Sequence, residues 1–118
     1  MANKYVLSFE EACTITGDDA NAIPKGSKST IAFHKMEVIE KAQNKLDKFV
    51  PDYSDSSQRK WYCWLWFNPS VGAFVFYFTI YTYTYTNLGS RFCYKTEKTA
   101  EFMTKQHIGL LNEIMSRE

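Results

Sequence analysis

An α+β fold, three-stranded antiparallel β-meander packed against helices, is predicted by how hydrophobic spacing changes along the chain. Residues 8–49 carry apolar side chains every three or four positions, residues 61–94 alternate with period two, and residues 96–114 return to helical spacing. Helices and strands that are segregated, not interleaved, imply an antiparallel sheet with helices on at least one face. The expected order is α-α-β-β-β-α in a single domain, residues 1–118.

The first helix is predicted in "LSFEEACTITG". Ser8 is placed to cap it, Glu11 sits three residues later in the capping-box position, and Leu7 is spaced to staple onto Ala12. Gly17 is the expected stop. Pro24 and Gly26 break the loop "DDANAIPKGSK". A longer helix should begin near Ser27 or Ser29, since Ala32, Met36, Ile39, Ala42, Leu46 and Phe49 recur at helical spacing. Glu37 and Lys41 form an i,i+4 pair in the favourable order. Pro51 ends the helix, and "PDYSDSSQ" is too short for a domain linker.

Period two then takes over. "RKWYCWLWFN" alternates Trp61, Cys63, Leu65 and Phe67 against Tyr62, Trp64 and Trp66. "NPSVG" supplies a turn. "AFVFYFTIYTYTYT" alternates Phe74, Phe76, Phe78 and Ile80 against Val75, Tyr77, Tyr81, Tyr83 and Tyr85. Such a strand is too long to stay straight, so a bulge or bend is expected near Thr79–Thr82. "NLGS" turns again and "RFCY" makes a short third strand. The last helix, capped by Thr96, presents Ala100, Met103, His107, Leu110, Leu111 and Ile114 as one core-facing stripe.

A chain of 118 residues can bury a core without metals or disulfides. Its 45% hydrophobic and 23% charged residues are ordinary, but 17% are aromatic, and most of these, with all three tryptophans, fall between Tyr53 and Tyr94. A net charge of +1 exerts no global pull on nucleic acid or acidic lipid. The charge is uneven: residues 1–24 hold Lys4 against Glu10, Glu11, Asp18 and Asp19, while residues 25–50 are lysine-rich. Such a lysine face is ordinarily just solvated. Three cysteines, Cys13, Cys63 and Cys93, without paired spacing and without a secretory signal, point to reduced thiols in a cytoplasm. No stretch is long and apolar enough to span a bilayer, so no membrane partner is expected.

Catalytic chemistry has little to build on. His34 and His107 belong to no HExxH, CxxC or Cys–His signature, and His107 sits on the apolar stripe of its helix. Cys63 and Cys93 read as small core residues. The carboxylates Glu10 and Glu11, and Asp18 and Asp19, are adjacent in sequence and so diverge on a helix. No glycine-rich phosphate loop is present. The expectation is a non-enzymatic protein with no cofactor and no metal, although an enzyme site assembled from distant residues would leave no local motif.

The aromatic sheet is the candidate surface. With Phe74, Phe76, Phe78 and Ile80 on the helices, Tyr77, Tyr81, Tyr83 and Tyr85 face away, joined by Tyr62, Trp64 and Trp66. Arg59, Lys60, Arg91 and Lys95 would border this platform. Tyr, Trp and Arg dominate protein interfaces. Stacked aromatics beside cations also suit single-stranded nucleic acid. A platform covered by a helix or a second subunit would simply be core. A protein partner or homo-oligomer is favoured, because the near-neutral charge places nucleic acid last.

Three stretches, "HKMEVIEKAQNKLDKFVPDYSD", "KWYCWLWF" and "NLGSRFCYKTEKTAEFMTKQH", resemble small proteins of unassigned function encoded by phages and prophages of gut Bacteroidales. The shared frame covers about residues 8–115, and Gly89–Lys95 with Ala100–Gln106 is its most specific part. This chain departs from it at His107, where an aromatic is expected, and at "KLDKF", which replaces a glycine–tryptophan pairing. The resemblance implies production in the cytoplasm of an infected or lysogenic bacterium, and hence replication accessory or host-protein modulator as roles. It transfers no activity. Within the frame, Gly89 suits a positive-φ turn, while Arg91 and Lys95 would share one strand face near the tyrosines.

Overall fold

The computed structural model describes residues 4–52, 54–83 and 92–116. Helix α1 (Phe9–Thr16) begins where expected: the Ser8 hydroxyl accepts from the Glu11 N–H at 3.1 Å, and Gly17 ends it at φ 86°. That left-handed turn, which glycine adopts without steric cost, directs the Gly17 N–H to the Cys13 carbonyl at 2.8 Å. The predicted staple is absent, because Leu7 is exposed and Val6 turns inward instead. Helix α2 (Lys28–Leu46) is capped by Ser27. It stops at Asp47, before Pro51, and Lys48 takes a positive φ of 52°. Lys41 of α2 reaches Asp18 at 3.6 Å.

Strands β1 (Lys60–Asn68) and β2 (Ala73–Thr82) form an antiparallel hairpin. Its turn uses the expected residues: Val71 and Gly72 both donate to the Asn68 carbonyl, and Gly72 takes φ 67°. Two features differ from expectation. Among the described residues the sheet has two strands, not three. Tyr94 makes only an isolated bridge with Trp61, exchanging N–H···O bonds of 3.0 and 2.7 Å. Helix α3 (Glu97–Gln106) is capped by Thr96 two residues later, which leaves no length for a strand to develop. The turn "NLGS" with its Gly89 lies outside the described residues, as does Arg91 at the start of the predicted strand.

The second difference is the last helix, which is two. At His107 (φ −109°, ψ 26°) the chain leaves α-helical geometry, and α4 (Ile108–Ser116) follows as a separate helix. The His107 Nε2 lies 2.9 Å from the Val6 carbonyl oxygen, which ties the break to the N-terminal segment. The observed order is therefore α1-α2-β1-β2-α3-α4.

The core lies where α1, α2, α3 and the segment around Val6 converge, with Ala12, Met36, Ile39, Ala42, Ala100 and Met103 buried. Most buried polar groups are matched, with Asn44 Oδ1 and the Tyr94 hydroxyl as exceptions among the described residues. Gln43 accepts from the Val6 N–H at 2.8 Å and donates to the Lys4 carbonyl at 3.0 Å. Asn44 donates to the Cys93 carbonyl at 2.9 Å, and Glu40 accepts from the Cys93 N–H at 2.9 Å. All three cysteines are free thiols.

Candidate interaction surface on the aromatic hairpin

Cross-strand partners in an antiparallel pair share a face, so the register sorts the aromatic side chains. Trp61 pairs with Tyr81, Cys63 with Thr79 and Trp64 with Phe78; beyond a register shift, Leu65 pairs with Phe76 and Phe67 with Phe74. Tyr77 is the extra residue of the shift. The expected irregularity exists, but it falls two residues before Thr79.

One inserted residue exchanges the faces of everything after it. Trp61, Cys63, Leu65, Phe74, Phe76, Thr79 and Tyr81 thus share the side on which α3 and α4 pack. There the Cys63 thiol and Thr79 Oγ1 lie 3.4 Å apart, in hydrogen-bond contact. Lys105 Nζ stands 4.7 Å from the Phe76 ring centroid. Asn112 of α4 holds both backbone groups of Phe74, accepting at 2.7 Å and donating at 2.9 Å, as a neighbouring strand would.

The opposite face carries Tyr62, Trp64, Trp66, Val75, Tyr77, Phe78 and Ile80. Trp64 stacks on Phe78 with ring planes 8° apart, and Trp66 leans on Tyr77. Tyr77 is 60% exposed, Trp64 51% and Trp66 44%. Four of the predicted platform residues, Tyr62, Trp64, Trp66 and Tyr77, are therefore together, and Phe78 and Ile80 join them although they were expected to pack on the helices.

Tyr81 and Tyr83 form a separate group at the far end of the strands. Their rings meet edge to face at 5.1 Å, and Tyr81 leans on Trp61. The Arg59 guanidinium lies 4.7 Å from the Tyr81 centroid and donates from Nε to the Tyr83 hydroxyl at 3.1 Å. That hydrogen bond is the first cause of a Tyr83 phenol pKa below its ordinary value, because it favours the phenolate.

The cations expected to border the platform are mostly occupied elsewhere. Lys60 is fully buried, and its ammonium donates to the carbonyls of Asp55, Gln58 and Tyr83 at 3.0, 3.1 and 2.6 Å. Lys95 donates to the Asp47 carbonyl at the end of α2. Tyr85 and Arg91 lie outside the described residues. Sequence periodicity missed the lysine's role; its place as the first strand residue beside the Asp- and Ser-rich loop 52–57 was the available signal.

No protein-family model matches this sequence, and no curated protein or solved structure matches it either.

The titratable groups near the sheet are ill suited to nucleophilic work. Burial is the first cause that pushes the Cys63 thiol above its ordinary pKa, and the buried Cys13 thiol is raised for the same reason. His107 is held below the usual imidazole value by burial, with the Val6 carbonyl opposing. Among the described residues, no three His, Cys, Asp or Glu side chains are grouped to hold a metal. No helix among them is long and apolar enough to cross a membrane.

Proposed function

We propose that this protein is a non-enzymatic binding protein that works through the outer face of its aromatic hairpin, and that the first occupant of that face is a second copy of the chain. The observation that carries this reading is the exposed row Trp64, Trp66, Tyr77, Phe78 and Ile80 on one face of a hairpin whose other face is packed at Cys63, Leu65, Phe74 and Phe76 and open only at its ends, at Phe67 and Tyr81. A fully covered aromatic ring buries about 150–250 Å², so these half-exposed side chains offer on the order of 400–500 Å². A stable interface takes about 800 Å² from each partner. The row thus supplies the apolar centre of an interface and needs only a polar rim.

The face also lacks charge of its own, so two copies meet there without like-charge repulsion. Single-stranded nucleic acid fits less well. Arg59 lies on Tyr81 and Tyr83 at the far end of the strands, and Lys60 is buried, so neither cation stands beside the tryptophans to follow a phosphate backbone. The phage and prophage resemblance supports a role inside an infected or lysogenic bacterial cytoplasm, where a host protein is the natural alternative occupant.

Sedimentation of the wild type and of a Trp66→Ser/Tyr77→Ser double variant tests the proposal. The wild type is expected to dimerise at tens of micromolar, and the variant to stay folded and monomeric. A wild type that remains monomeric up to about 1 mM would overturn self-association. A dimer that the double variant leaves intact would overturn the choice of face.

A further inference from the structure

The two edges of the hairpin are finished differently. At one end of β1, Trp61 exchanges N–H···O bonds with Tyr94, so its backbone groups point away from β2. At the other end, Phe67 pairs with Phe74, whose N–H and C=O both go to Asn112, so the Phe67 groups point away from β2 as well. Backbone direction alternates along an antiparallel strand, and β1 carries no extra residue, so Cys63 and Leu65 point the same way. Among the described residues, no protein group meets the outward N–H or C=O of Cys63, Leu65 or Phe67. Native edges are blunted by charges, prolines, bulges or covering groups. The edge of β2 has the Tyr77 bulge and the Asn112 cover. The edge of β1 has neither, and residues 61–67 include no charge and no proline.

A cavity of about 460 Å³ runs along this open edge. Tyr62 and Trp64 line it from the outer face of β1, Cys63 and Leu65 from the helix face, and Tyr94 from the bridge. It therefore lies at the edge of the strand and not under either face. Met36 of α2 and Leu111 of α4 belong to its far wall, and no charged side chain lines it among the described residues. Three residues of strand rise about 10 Å, lie about 4.8 Å from their neighbour and span about 10 Å through the sheet, or about 480 Å³ in all. The gap thus matches one short strand. It is too small for a second hairpin with its helices attached.

We propose that the free edge of β1 accepts an extended, uncharged segment of another protein as an antiparallel strand, bonded to Leu65 and Phe67. The bridge at Trp61 already seats one antiparallel backbone on this edge. In such pairing the main chain supplies affinity and alternate side chains supply specificity. The residue opposite Leu65 shares its face and enters the apolar cavity, where a charge would lose its hydration without a partner. Its two neighbours point outward beside Trp64 and Trp66. The inference holds whether or not two copies meet at the outer face.

A suitable probe is acetyl-Lys-Thr-Val-Ile-Val-Thr-Lys-amide, set beside two analogues. One is N-methylated at the isoleucine and both valines, which keeps the side chains but removes the donors of both edges. The other has aspartate in place of isoleucine. Amide hydrogen exchange of 15N-labelled protein is the readout. In the free protein, the Leu65 and Phe67 amides should exchange faster than those of Trp64 and Trp66, which donate to β2. The first peptide should bind saturably and slow Leu65 and Phe67 by about tenfold or more. Both analogues should bind at least about tenfold more weakly. Leu65 and Phe67 amides already as slow as their neighbours would mean that the edge is occupied, and the proposal would fail. It also fails if no peptide saturates up to about 1 mM, or if protection appears on β2 instead. Equal binding of the N-methylated peptide would show that side chains enter the cavity without a strand forming, and equal binding of the aspartate peptide that the cavity selects nothing; either result overturns it.

Discussion

On the helix side of the hairpin, Phe76 lies under Lys105 of α3, and Asn112 of α4 grips the backbone of Phe74. On the other side the rings meet other rings of the same strands: Trp64 stacks on Phe78, and Trp66 leans on Tyr77. The same kinds of residue stand on both sides, so composition does not separate them. What separates them is the extra residue at Tyr77, which assigns each ring beyond it to the opposite face. The covered side is committed to folding, whereas the open side remains available for contact. Substitutions should therefore split cleanly, the covered side changing stability and the open side changing association.

The largest expected effect is in the packed interior. Met103 of α3 is fully buried, and Met103→Ala should cost about 2–5 kcal/mol from lost transfer free energy and the cavity left behind. Trp66→Ser removes a far larger ring from the open side, and should change monomer stability by no more than about 0.5 kcal/mol. Urea denaturation of both variants at low concentration makes the comparison. Similar losses from the two would mean that the outer face is core after all.

An intermediate effect is expected at the joint that sets the covering helices. His107 donates its Nε2 hydrogen to the Val6 carbonyl, and burial lowers its pKa below 6.5. The unfolded chain therefore takes up the proton first, so stability is complete above the ordinary imidazole value and declines as pH falls below it. Each pH unit between the folded and unfolded values costs about 1.4 kcal/mol. His107→Gln keeps a donor but cannot ionise. Between pH 7.5 and 5.5 the wild type should lose more of its melting temperature than this variant does. Equal losses would show that His107 accepts its proton freely and that the α3–α4 joint is open to water.

Local chemistry in the sequence located the helices, because caps act within three residues. Ser8, Ser27 and Thr96 all accept the N–H bonds that their positions imply. The break at His107 was hidden, since the apolar stripe runs on through it and the Val6 contact that holds it comes from the other end of the chain. Sheet faces were legible only in β1, where alternation is uninterrupted. In β2 a bulge is foreseen from length, but alternation carried straight through it puts Phe78, Ile80 and Tyr81 on the wrong sides, because the extra residue at Tyr77 exchanges the faces of everything after it. The cavity was not legible at all. Its lining comes from α2, β1, α3, α4 and the segment at Phe92–Tyr94, and no single stretch carries its pattern.

The smallest effect lies where the two faces meet solvent at the open end of the strands. Arg59 stacks on Tyr81 and donates to the Tyr83 hydroxyl, and this bond leads the causes that hold the Tyr83 phenol below its ordinary value of 10.0. Arg59→Ala removes both the donor and the charge, so the Tyr83 phenol should titrate later, back toward that value, in a 13C titration of labelled tyrosine rings. The buried Tyr94 supplies the contrast, because it should not ionise across the same range in either protein. Arg59→Lys separates the two contributions: it keeps a cation but not the planar guanidinium that stacks and donates from a fixed position. An intermediate Tyr83 value in that variant would assign the shift to both charge and geometry. A Tyr83 titration unchanged by Arg59→Ala would mean the pair does not form in solution, leaving Tyr81 and Tyr83 free to extend the open face toward the residues with which the sequence first grouped them.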